Sequence, residues 1–316
     1  MDFLTKYGYA PDQEAMGRAL EMIASNLDKV ASEQVYKDCF SMMDLTTLKT
    51  DDTPASVAKL VGKVNSFRQD YPQWPLPASV CVYPNFASVV DKERACDFNI
   101  TVVSACFPSS QSFLEVKLKE CELAVEQGAD EVDIVLALNA FLAGDYETAA
   151  EEIRQVRSCI DAVAQRQGRK VHLKVILETG LLRTPEKIAA ASFLAMEAGA
   201  DFIKTSTGKV DVNATPAAAY VMCECIAKYQ ALTGKKIGAY YGCLLLRPGK
   251  IMAFDDPENP KLLEDFIRAI GAEPVVYPYR NECCGGYISL QEKAASQNLC
   301  EKILESAASF EADCLV

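Results

Sequence analysis

Histidine and positive charge are both scarce in this chain of 316 residues. His172 is the single histidine, and a lone histidine cannot build a zinc site or a Ser-His-Asp triad without partners. We therefore interpret His172, which lies in the strand-like run 171–177, as structural. Lysine and arginine number 32 against 44 aspartate and glutamate. The resulting net charge of −12 argues against general nucleic-acid binding, although it leaves room for an anionic small substrate.

Long apolar runs and glycine-rich nucleotide loops are also missing. No apolar stretch is long enough to span a membrane, and the first residues contain no apolar signal core. We therefore expect a soluble, cytoplasmic protein without a membrane partner. Neither a dinucleotide fingerprint nor a Walker loop follows the first predicted strand, so an NAD or ATP enzyme is the weaker interpretation.

Cysteine, in contrast, is abundant, with 13 residues. Most are scattered through helical and strand patterns without ligand-like spacing, which is typical of reduced, small apolar residues in a cytosolic chain. The last four lie in a stretch of different character: Cys283, Cys284, Cys300 and Cys314.

Short β-branched runs alternate with helical patterns from residue 44 onward. The runs predict strands near 44–48, 78–83, 99–106, 131–137, 171–178 and 202–207. Six βα units in succession predict an α/β fold, either a barrel or a doubly wound parallel sheet. Gly128 and Gly199 each end a helix directly before a strand. Ser112 heads a capping-box pattern, and Thr184 precedes Pro185 as a helix cap.

Polar side chains stand in or just after most of these strands. They are Asp44, Thr46, Cys81, Asp133, Lys174, Glu178 and Lys204. In a βα barrel the ends of parallel strands meet at one face, so these groups should converge and shift one another's pKa. Lys204 is the most informative of them, because an apolar strand carries its amine into the polar turn 205–209. A buried amine loses proton affinity and can attack a carbonyl, whereas an ordinary strand-end lysine extends to water.

Five segments resemble the deoxyribose-phosphate aldolases, class I aldolases with a (β/α)8 TIM barrel. The segments are 43–48 (MDLTTL), 80–84 (VCVYP), 128–135 (GADEVDIV), 173–180 (LKVILETG) and 199–209 (GADFIKTSTGK). The resemblance covers about residues 1–237 and six βα units. It implies a lyase of nucleoside catabolism that uses no metal or organic cofactor, only a covalent lysine imine. Its partner would be a small phosphorylated sugar, and a homo-oligomer is compatible with it.

The resemblance also implies roles for individual residues. Lys204 matches the Schiff-base lysine and Asp133 the acid/base residue, with Lys174 supporting the proton relay. Gly208 and Lys209 match part of the phosphate site, where backbone amides and a cation favour a phosphate dianion. Three further positions match the mouth of the pocket and count as substrate-binding candidates: Asp44, Thr46 and Cys81.

The resemblance ends after residue 238. The family continues with a seventh strand that carries a second lysine, which lowers the pKa of the nucleophile by repulsion of like charge. In this chain Tyr240 stands at that position. The eighth strand of the family, with its phosphate ligands, is not recognisable either, so the resemblance implies impaired activity.

Residues 238–316 resemble a different family, the cysteine-rich CCG domain of the heterodisulfide reductase B subunit. The matching segments are 240–248 (YYGCLLLRP) and 277–286 (YPYRNECCGG). Cys243, Cys283 and Cys284 match iron–sulfur ligands of that family, but its final Cys-x-x-Cys is not present. Three thiolates are an incomplete ligand set, which argues against a cluster.

The tail nevertheless has the pattern of further βα units. Strands are predicted at 236–241, 273–277 and 312–316, and the first two could complete the barrel as its seventh and eighth strands. The fold expected overall is a TIM-type barrel whose last two βα units are replaced by an unrelated βαβ cysteine-rich segment.

Three functions follow from these patterns. The first is a deoxyribose-phosphate aldolase that cleaves 2-deoxyribose 5-phosphate into glyceraldehyde 3-phosphate and acetaldehyde. The alternatives are a thiol or iron–sulfur redox module of the heterodisulfide reductase type, and a catalytically inactive fusion.

Overall fold

A computed structural model describes residues 3–234, 236–252, 255–269, 272–288 and 291–315. The chain forms two compact units, Met1–Ile226 and Ala227–Val316, whose boundary falls within one helix. Within the described ranges, no helix has both the length and the apolar character that crossing a membrane requires.

The first unit contains a six-stranded parallel sheet in which the strand order follows the chain order. The strands are β1 (Asp44–Thr46), β2 (Ser79–Val82), β3 (Asn99–Val103), β4 (Glu131–Val135), β5 (His172–Ile176) and β6 (Phe202–Lys204). All six predicted strands are confirmed. The sheet curls into part of a barrel, because the Lys204 amine on β6 lies 2.9 Å from the Asp44 carboxylate on β1, the opposite edge strand.

Several strands end earlier than the apolar runs predict. In β3 the cause is local, since Ala105 and Cys106 have φ angles of 54° and 62°, in the left-handed region that a strand cannot contain. The sequence 99–106 is apolar and β-branched enough to suggest a longer strand, but the backbone turns out of the sheet after Val103.

Helices connect and cover these strands. They are α1 (Phe3–Lys6), α2 (Gln13–Val30), α3 (Glu33–Ser41), α4 (Pro54–Asp70), α5 (Ala87–Glu93), α6 (Leu114–Glu126), α7 (Leu138–Leu142), α8 (Tyr146–Arg166), α9 (Thr179–Leu182), α10 (Pro185–Glu197) and α11 (Pro216–Thr233), with a 3₁₀ turn at Pro84–Phe86. The core lies between the sheet and these helices, where Val132, Leu173 and Phe193 are fully buried. This burial on both faces explains why the strands are continuously apolar.

The predicted helix boundaries are mostly confirmed. Gly128 and Gly199 have φ angles of 104° and 101°, as expected after a helix end. The Thr184 hydroxyl accepts a hydrogen bond from the Lys187 amide, with Pro185 at the first helical position. The capping box at Ser112 is wrong, because α6 begins one residue later and has Phe113 at its N-cap without a side-chain hydrogen bond.

The second unit has its own parallel sheet of three strands in the order β8–β7–β9. The strands are β7 (Lys236–Gly238), β8 (Glu273–Val275) and β9 (Cys314–Leu315), and the helices are α12 (Gly242–Leu246), α13 (Gly249–Met252), α14 (Leu262–Ala269) and α15 (Lys293–Ser309), with a 3₁₀ turn at Gly286–Ile288. The three tail strands therefore form where they were predicted, although Val316, the last residue of the predicted third one, lies outside the described residues.

The expectation that the first two tail strands complete the barrel sheet is wrong. β7 pairs with β8 along one edge and with β9 along the other, so neither edge is left for β6. A strand has only two hydrogen-bonding edges, and β7 uses both within the tail. The six-unit partial barrel followed by a βαβ cysteine-rich segment is otherwise the predicted architecture.

A close backbone approach at Gly180 gives a testable prediction about this scaffold. A Cβ added there would lie 2.0 Å from the carbonyl oxygen of Val212, so Gly180→Ala must displace the loop after β6. We expect a loss of about 1–3 kcal/mol in the free energy of unfolding, measured by urea denaturation with Trp74 fluorescence. The control is Gly62→Ala, because Gly62 lies inside α4 with nothing within 4 Å. That variant should be unchanged or up to about 1 kcal/mol more stable, and an equal loss in both would contradict the role of Gly180.

Candidate active site

Three consecutive strands of the barrel sheet, β4, β5 and β6, carry charged side chains on its inner face. Asp133 on β4 is in register with Lys174 on β5, and Lys204 on β6 is in register with Ile176, two positions further along β5. Side chains two residues apart share one face of a strand, so Glu131 joins Asp133 on the inner side of β4. Asp44 on β1 approaches the same point from the other edge of the sheet.

These five residues form what we term the charged cluster: Asp44, Glu131, Asp133, Lys174 and Lys204. The Lys204 ammonium donates to Asp133 Oδ2, and to Asp44 Oδ2 at 2.9 Å. The Lys174 ammonium donates to both oxygens of Asp44, at 3.0 and 2.9 Å, and forms an ion pair with Glu131. Asp44 therefore bridges the two lysines, each of which has a further carboxylate of its own.

The charged cluster contains three carboxylates but only two ammonium groups. This leaves one negative charge in excess in a site that is largely closed to water. Asp133 is the carboxylate whose ionised form is stabilised least, since it is fully buried and its Oδ1 atom has no hydrogen-bond partner among the described residues. Burial raises the pKa of Asp133 above its ordinary value in spite of the neighbouring ammonium groups. Asp133 is therefore the carboxylate that most readily takes up a proton.

Asp44 has the opposite tendency. Burial alone would raise its pKa, but the ammonium groups of Lys204 and Lys174 bring the pKa of Asp44 down to about 2. Ser79 adds to this by donating a hydrogen bond to Asp44 Oδ1 at 2.8 Å. Asp44 thus stays ionised at any pH at which the protein functions.

The protonation state of Lys204 differs from the one expected from burial. Burial does lower the pKa of the Lys204 amine, but the carboxylates of Asp133 and Asp44 raise it more, so the net pKa lies above the ordinary value. The expectation that this amine has lost proton affinity is therefore wrong for the arrangement seen here. Lys204 is an ammonium group until a neighbouring base removes its proton.

Lys174 is held more deeply than Lys204. Its side chain is 8% exposed, compared with 29% for Lys204. Burial opposes the charge, but Asp133, Glu131 and Asp44 raise the pKa of Lys174 above its ordinary value. Glu131 is in turn fixed by Thr101 at 2.6 Å and by Asn99 at 2.8 Å.

The sequence interpretation missed the residues that surround Lys174. Glu131, Ser79 and Thr101 were not singled out, although each lies on the inner face of a predicted strand. The alternation of side chains along a strand could have identified Glu131, because it lies two residues before Asp133 and must share its face. A carboxylate on the inner face of a buried parallel strand implies a nearby cation.

Two of the predicted pocket residues make no hydrogen bond to the charged side chains of the cluster. Thr46 is exposed, and its hydroxyl donates to the backbone carbonyl of Asp44 at 2.9 Å. Cys81 is buried with Leu48 and Val103, as an apolar wall beside the charges. Burial and the Asp133 carboxylate raise the pKa of Cys81 to about 12, so its thiol is neutral.

The predicted phosphate residues lie in the loop after β6. Gly208 has a φ angle of 76° and is exposed, which leaves its backbone accessible. The Lys209 ammonium donates to the backbone carbonyl of Leu48 at 2.6 Å. Glu178, which was expected among the converging groups, instead accepts hydrogen bonds from the amide and hydroxyl of Thr207, the latter at 2.5 Å. Glu178 therefore shapes this loop and stays outside the charged cluster.

The predicted iron–sulfur cysteines lie in the second unit. Cys283 Sγ accepts a hydrogen bond from the Gly285 amide at 3.3 Å, and Tyr240 donates to the carbonyl of Glu282 at 2.9 Å. The thiol of Cys243 is hydrogen-bonded to Cys283, and this contact raises the pKa of Cys243. Across the described part of the chain, no three Cys, His, Asp or Glu side chains are arranged to hold a metal ion. Cys243, Cys283 and Cys284 are therefore not gathered as metal ligands in this part of the chain.

Comparison with known proteins agrees with this division of the chain. The DeoC/LacD family aldolase model matches residues 39–251, and the cysteine-rich domain model, CCG, matches residues 237–316. The chain is 41% identical over 212 residues to the deoxyribose-phosphate aldolase of Homo sapiens and 40% identical over 210 residues to that of Bos taurus. These alignments cover 63% and 62% of this chain, and in each case 63% of the relative, which is less than two thirds of its length.

A solved structure supports the same assignment. The aldolase QR15 superposes with a TM-score of 0.53 and 28% sequence identity, covering 60% of this chain and 77% of its own. The aldolase family model matches well over half of the chain and includes every strand of the partial barrel. The chain therefore belongs to the DeoC/LacD family of aldolases.

Proposed function

We propose that this protein is a class I aldolase of the deoxyribose-phosphate type, acting on 2-deoxyribose 5-phosphate through an imine on Lys204. The observation that carries the proposal is the pairing of a partly accessible amine with a buried carboxylate that readily takes up a proton. Lys204 supplies the amine, and Asp133, with its unpartnered Oδ1, supplies the carboxylate. The names of the human and bovine relatives support the choice of substrate.

Lys204 is a better nucleophile than Lys174 for two reasons. Its side chain is more exposed, so a substrate carbonyl can reach the nitrogen. Its partner Asp133 has a raised pKa and can accept the ammonium proton, whereas Lys174 is bound by two carboxylates, Asp44 and Glu131, whose pKa values are lowered. Lys174 therefore keeps its proton and serves as a fixed positive charge beside the reaction.

The reaction follows from these assignments. Asp133 takes the proton from Lys204, and the free amine adds to the C1 aldehyde carbon, losing water to form an iminium. Removal of the C3 hydroxyl proton then breaks the C2–C3 bond, and its electron pair forms an enamine with the iminium. Glyceraldehyde 3-phosphate leaves, the enamine is protonated at C2, and hydrolysis releases acetaldehyde and restores Lys204.

The 5-phosphate is assigned to the loop after β6. Gly208 offers an exposed backbone, and Lys209 offers a cation within reach of the same loop. A phosphate there would compete with the Leu48 carbonyl for the Lys209 ammonium. The carboxylates of Asp133 and Asp44 leave Lys204 with a raised pKa, which supports slow turnover near neutral pH.

Borohydride trapping with acetaldehyde tests the imine directly. We expect one ethyl group on Lys204, located by peptide mass spectrometry, and no adduct at that peptide in Lys204→Met. Because the ammonium must first lose its proton, the initial rate of trapping should rise as the pH is raised above neutrality.

Lys209→Met is the matched control for this experiment, because acetaldehyde carries no phosphate. That variant should trap acetaldehyde normally, while its KM for 2-deoxyribose 5-phosphate should rise about tenfold. An adduct that forms elsewhere and persists in Lys204→Met would refute the proposed mechanism.

A further inference from the structure

The first unit contains a cavity of about 920 Å³ that the charged cluster does not line. It lies between the first turn of α2, the starts of α10 and α11, and the loop 209–215. We term it the rim cavity. Lys209 is the one residue that it shares with the proposed phosphate site, and the Lys209 ammonium is bound to the Leu48 carbonyl. The rim cavity therefore overlaps the proposed phosphate site only at Lys209. Its capacity to bind a ligand does not depend on the proposed aldolase reaction.

Most of the rim cavity is apolar. Met16, Ile188, Val212 and Val221 contribute its hydrocarbon walls. Its volume is within the range of about 300–1,000 Å³ that is usual for sites of small organic ligands. An apolar body of that size would bury well against these side chains.

The rim cavity is lined by two helix starts and by one arginine. Pro185 and Ala217 line it, and they belong to the first turns of α10 and α11, two helices of 13 and 18 residues. The amide groups at a helix start carry a partial positive charge, so two such starts on one cavity favour an anion. Arg183 adds a full charge, and its guanidinium has no ion pair or hydrogen bond to any residue described in the structure.

Arg183 determines which anion would bind. A carboxylate oxygen could accept hydrogen bonds from its guanidinium.

Asp211 restricts the charge of the ligand. It also lines the rim cavity, so it would repel a phosphate dianion more strongly than a carboxylate. From these features the geometry points to a binding site for a monocarboxylate with an aliphatic body, with its carboxylate at Arg183 and its chain along Met16, Ile188 and Val221.

Isothermal titration calorimetry on the full chain tests this site. The probes are decanoate below its micelle-forming concentration, acetate, which lacks the apolar body, and inorganic phosphate. We expect saturable binding of decanoate at one site, and binding of acetate and phosphate that is at least about tenfold weaker. Arg183→Gln should weaken the binding of decanoate about tenfold.

Three further variants locate the site. Val212→Trp should abolish binding by filling the rim cavity, and it should still fold because Val212 is 53% exposed. Arg68→Gln, on the exposed face of α4, and Lys204→Met should both bind decanoate as the unmodified protein does. Failure of decanoate to bind would overturn the proposal, as would phosphate binding of equal strength or a loss of binding in Lys204→Met. Binding that Arg183→Gln leaves unchanged would also overturn it.

Discussion

The Asp133→Asn variant should form the trapped imine with acetaldehyde about 10²–10⁴-fold more slowly than the unmodified protein, the usual cost of losing a general acid–base group. Asparagine keeps the size of the side chain but cannot accept the proton that Lys204 must lose. Asp133 Oδ2 receives a hydrogen bond from the Lys204 ammonium, and burial raises the pKa of this carboxyl group. Both features are required of the group that removes the proton. The measurement is the single-turnover rate of trapping under saturating acetaldehyde.

Asp44→Asn is the matched comparison, because Asp44 also contacts the Lys204 ammonium, at 2.9 Å. The pKa of Asp44 is held near 2, so it does not take up a proton near neutral pH. Its replacement removes a carboxylate that stabilises the ammonium, which lowers the pKa of Lys204 and favours the free amine. We therefore expect Asp44→Asn to slow trapping far less than Asp133→Asn does.

The two aspartate variants must be compared at equal folding. Thermal unfolding followed by circular dichroism would show whether either has lost structure, and Asp161→Asn, at an exposed position of α8, serves as a surface control. If Asp44→Asn trapped acetaldehyde as slowly as Asp133→Asn, the proton would not pass through Asp133. Equal rates in Asp133→Asn and the unmodified protein would lead to the same conclusion.

The positions of Lys204 and Asp133 could be predicted from sequence because they depend on local rules. Short β-branched runs between helices mark parallel strands, and the alternation of side chains fixes which residues face inward. The segments that resemble the aldolases then align the lysine and the aspartate on neighbouring parts of one sheet. The six strands, the glycine helix ends and the Thr184 cap all follow from interactions within a few residues.

Two features could not be predicted, because they depend on distant parts of the chain. The charge state of Lys204 is set by Asp44, which is 160 residues away, and by Asp133, which is 71 residues away. The partner strands of β7 could not be predicted for a similar reason. β9 lies near the end of the chain, and its sequence pattern does not reveal which strand it pairs with. Strand periodicity indicates that a strand exists, and pairing is decided by packing.

The Lys174→Met variant should lose about 3–5 kcal/mol of unfolding free energy at neutral pH, the cost expected when one partner of a buried ion pair is removed. Methionine fills much of the volume of the lysine stem but leaves Asp44 and Glu131 without their shared cation. Urea denaturation followed by Trp74 fluorescence measures this effect, because the single tryptophan reports on the unit that contains the charged cluster.

The deficit of Lys174→Met should shrink as the pH is lowered. In the unmodified protein, the pKa of Asp44 is about 2, below its ordinary value of 3.8, and the pKa of Glu131 is also lowered. Carboxylates with lowered pKa values stabilise the folded state above their unfolded pKa, and that contribution is lost as the pH falls toward the folded one. The unmodified protein should thus lose stability between about pH 4 and pH 2, whereas Lys174→Met keeps only the part of this contribution that Lys204 gives to Asp44.

Lys119→Met separates burial from charge in this comparison. Lys119 pairs with Glu122 on α6, but its side chain is 59% exposed, so its replacement should leave stability nearly unchanged. The double variant Lys174→Met/Glu131→Gln should recover part of the loss, because it removes Glu131, the carboxylate whose lysine is lost, while Asp44 keeps Lys204. A loss in Lys174→Met as small as in Lys119→Met would contradict the interpretation that Lys174 neutralises a buried excess of carboxylate. A deficit that stayed constant from pH 7 to below pH 4 would show that packing, and not charge, is what Lys174 contributes.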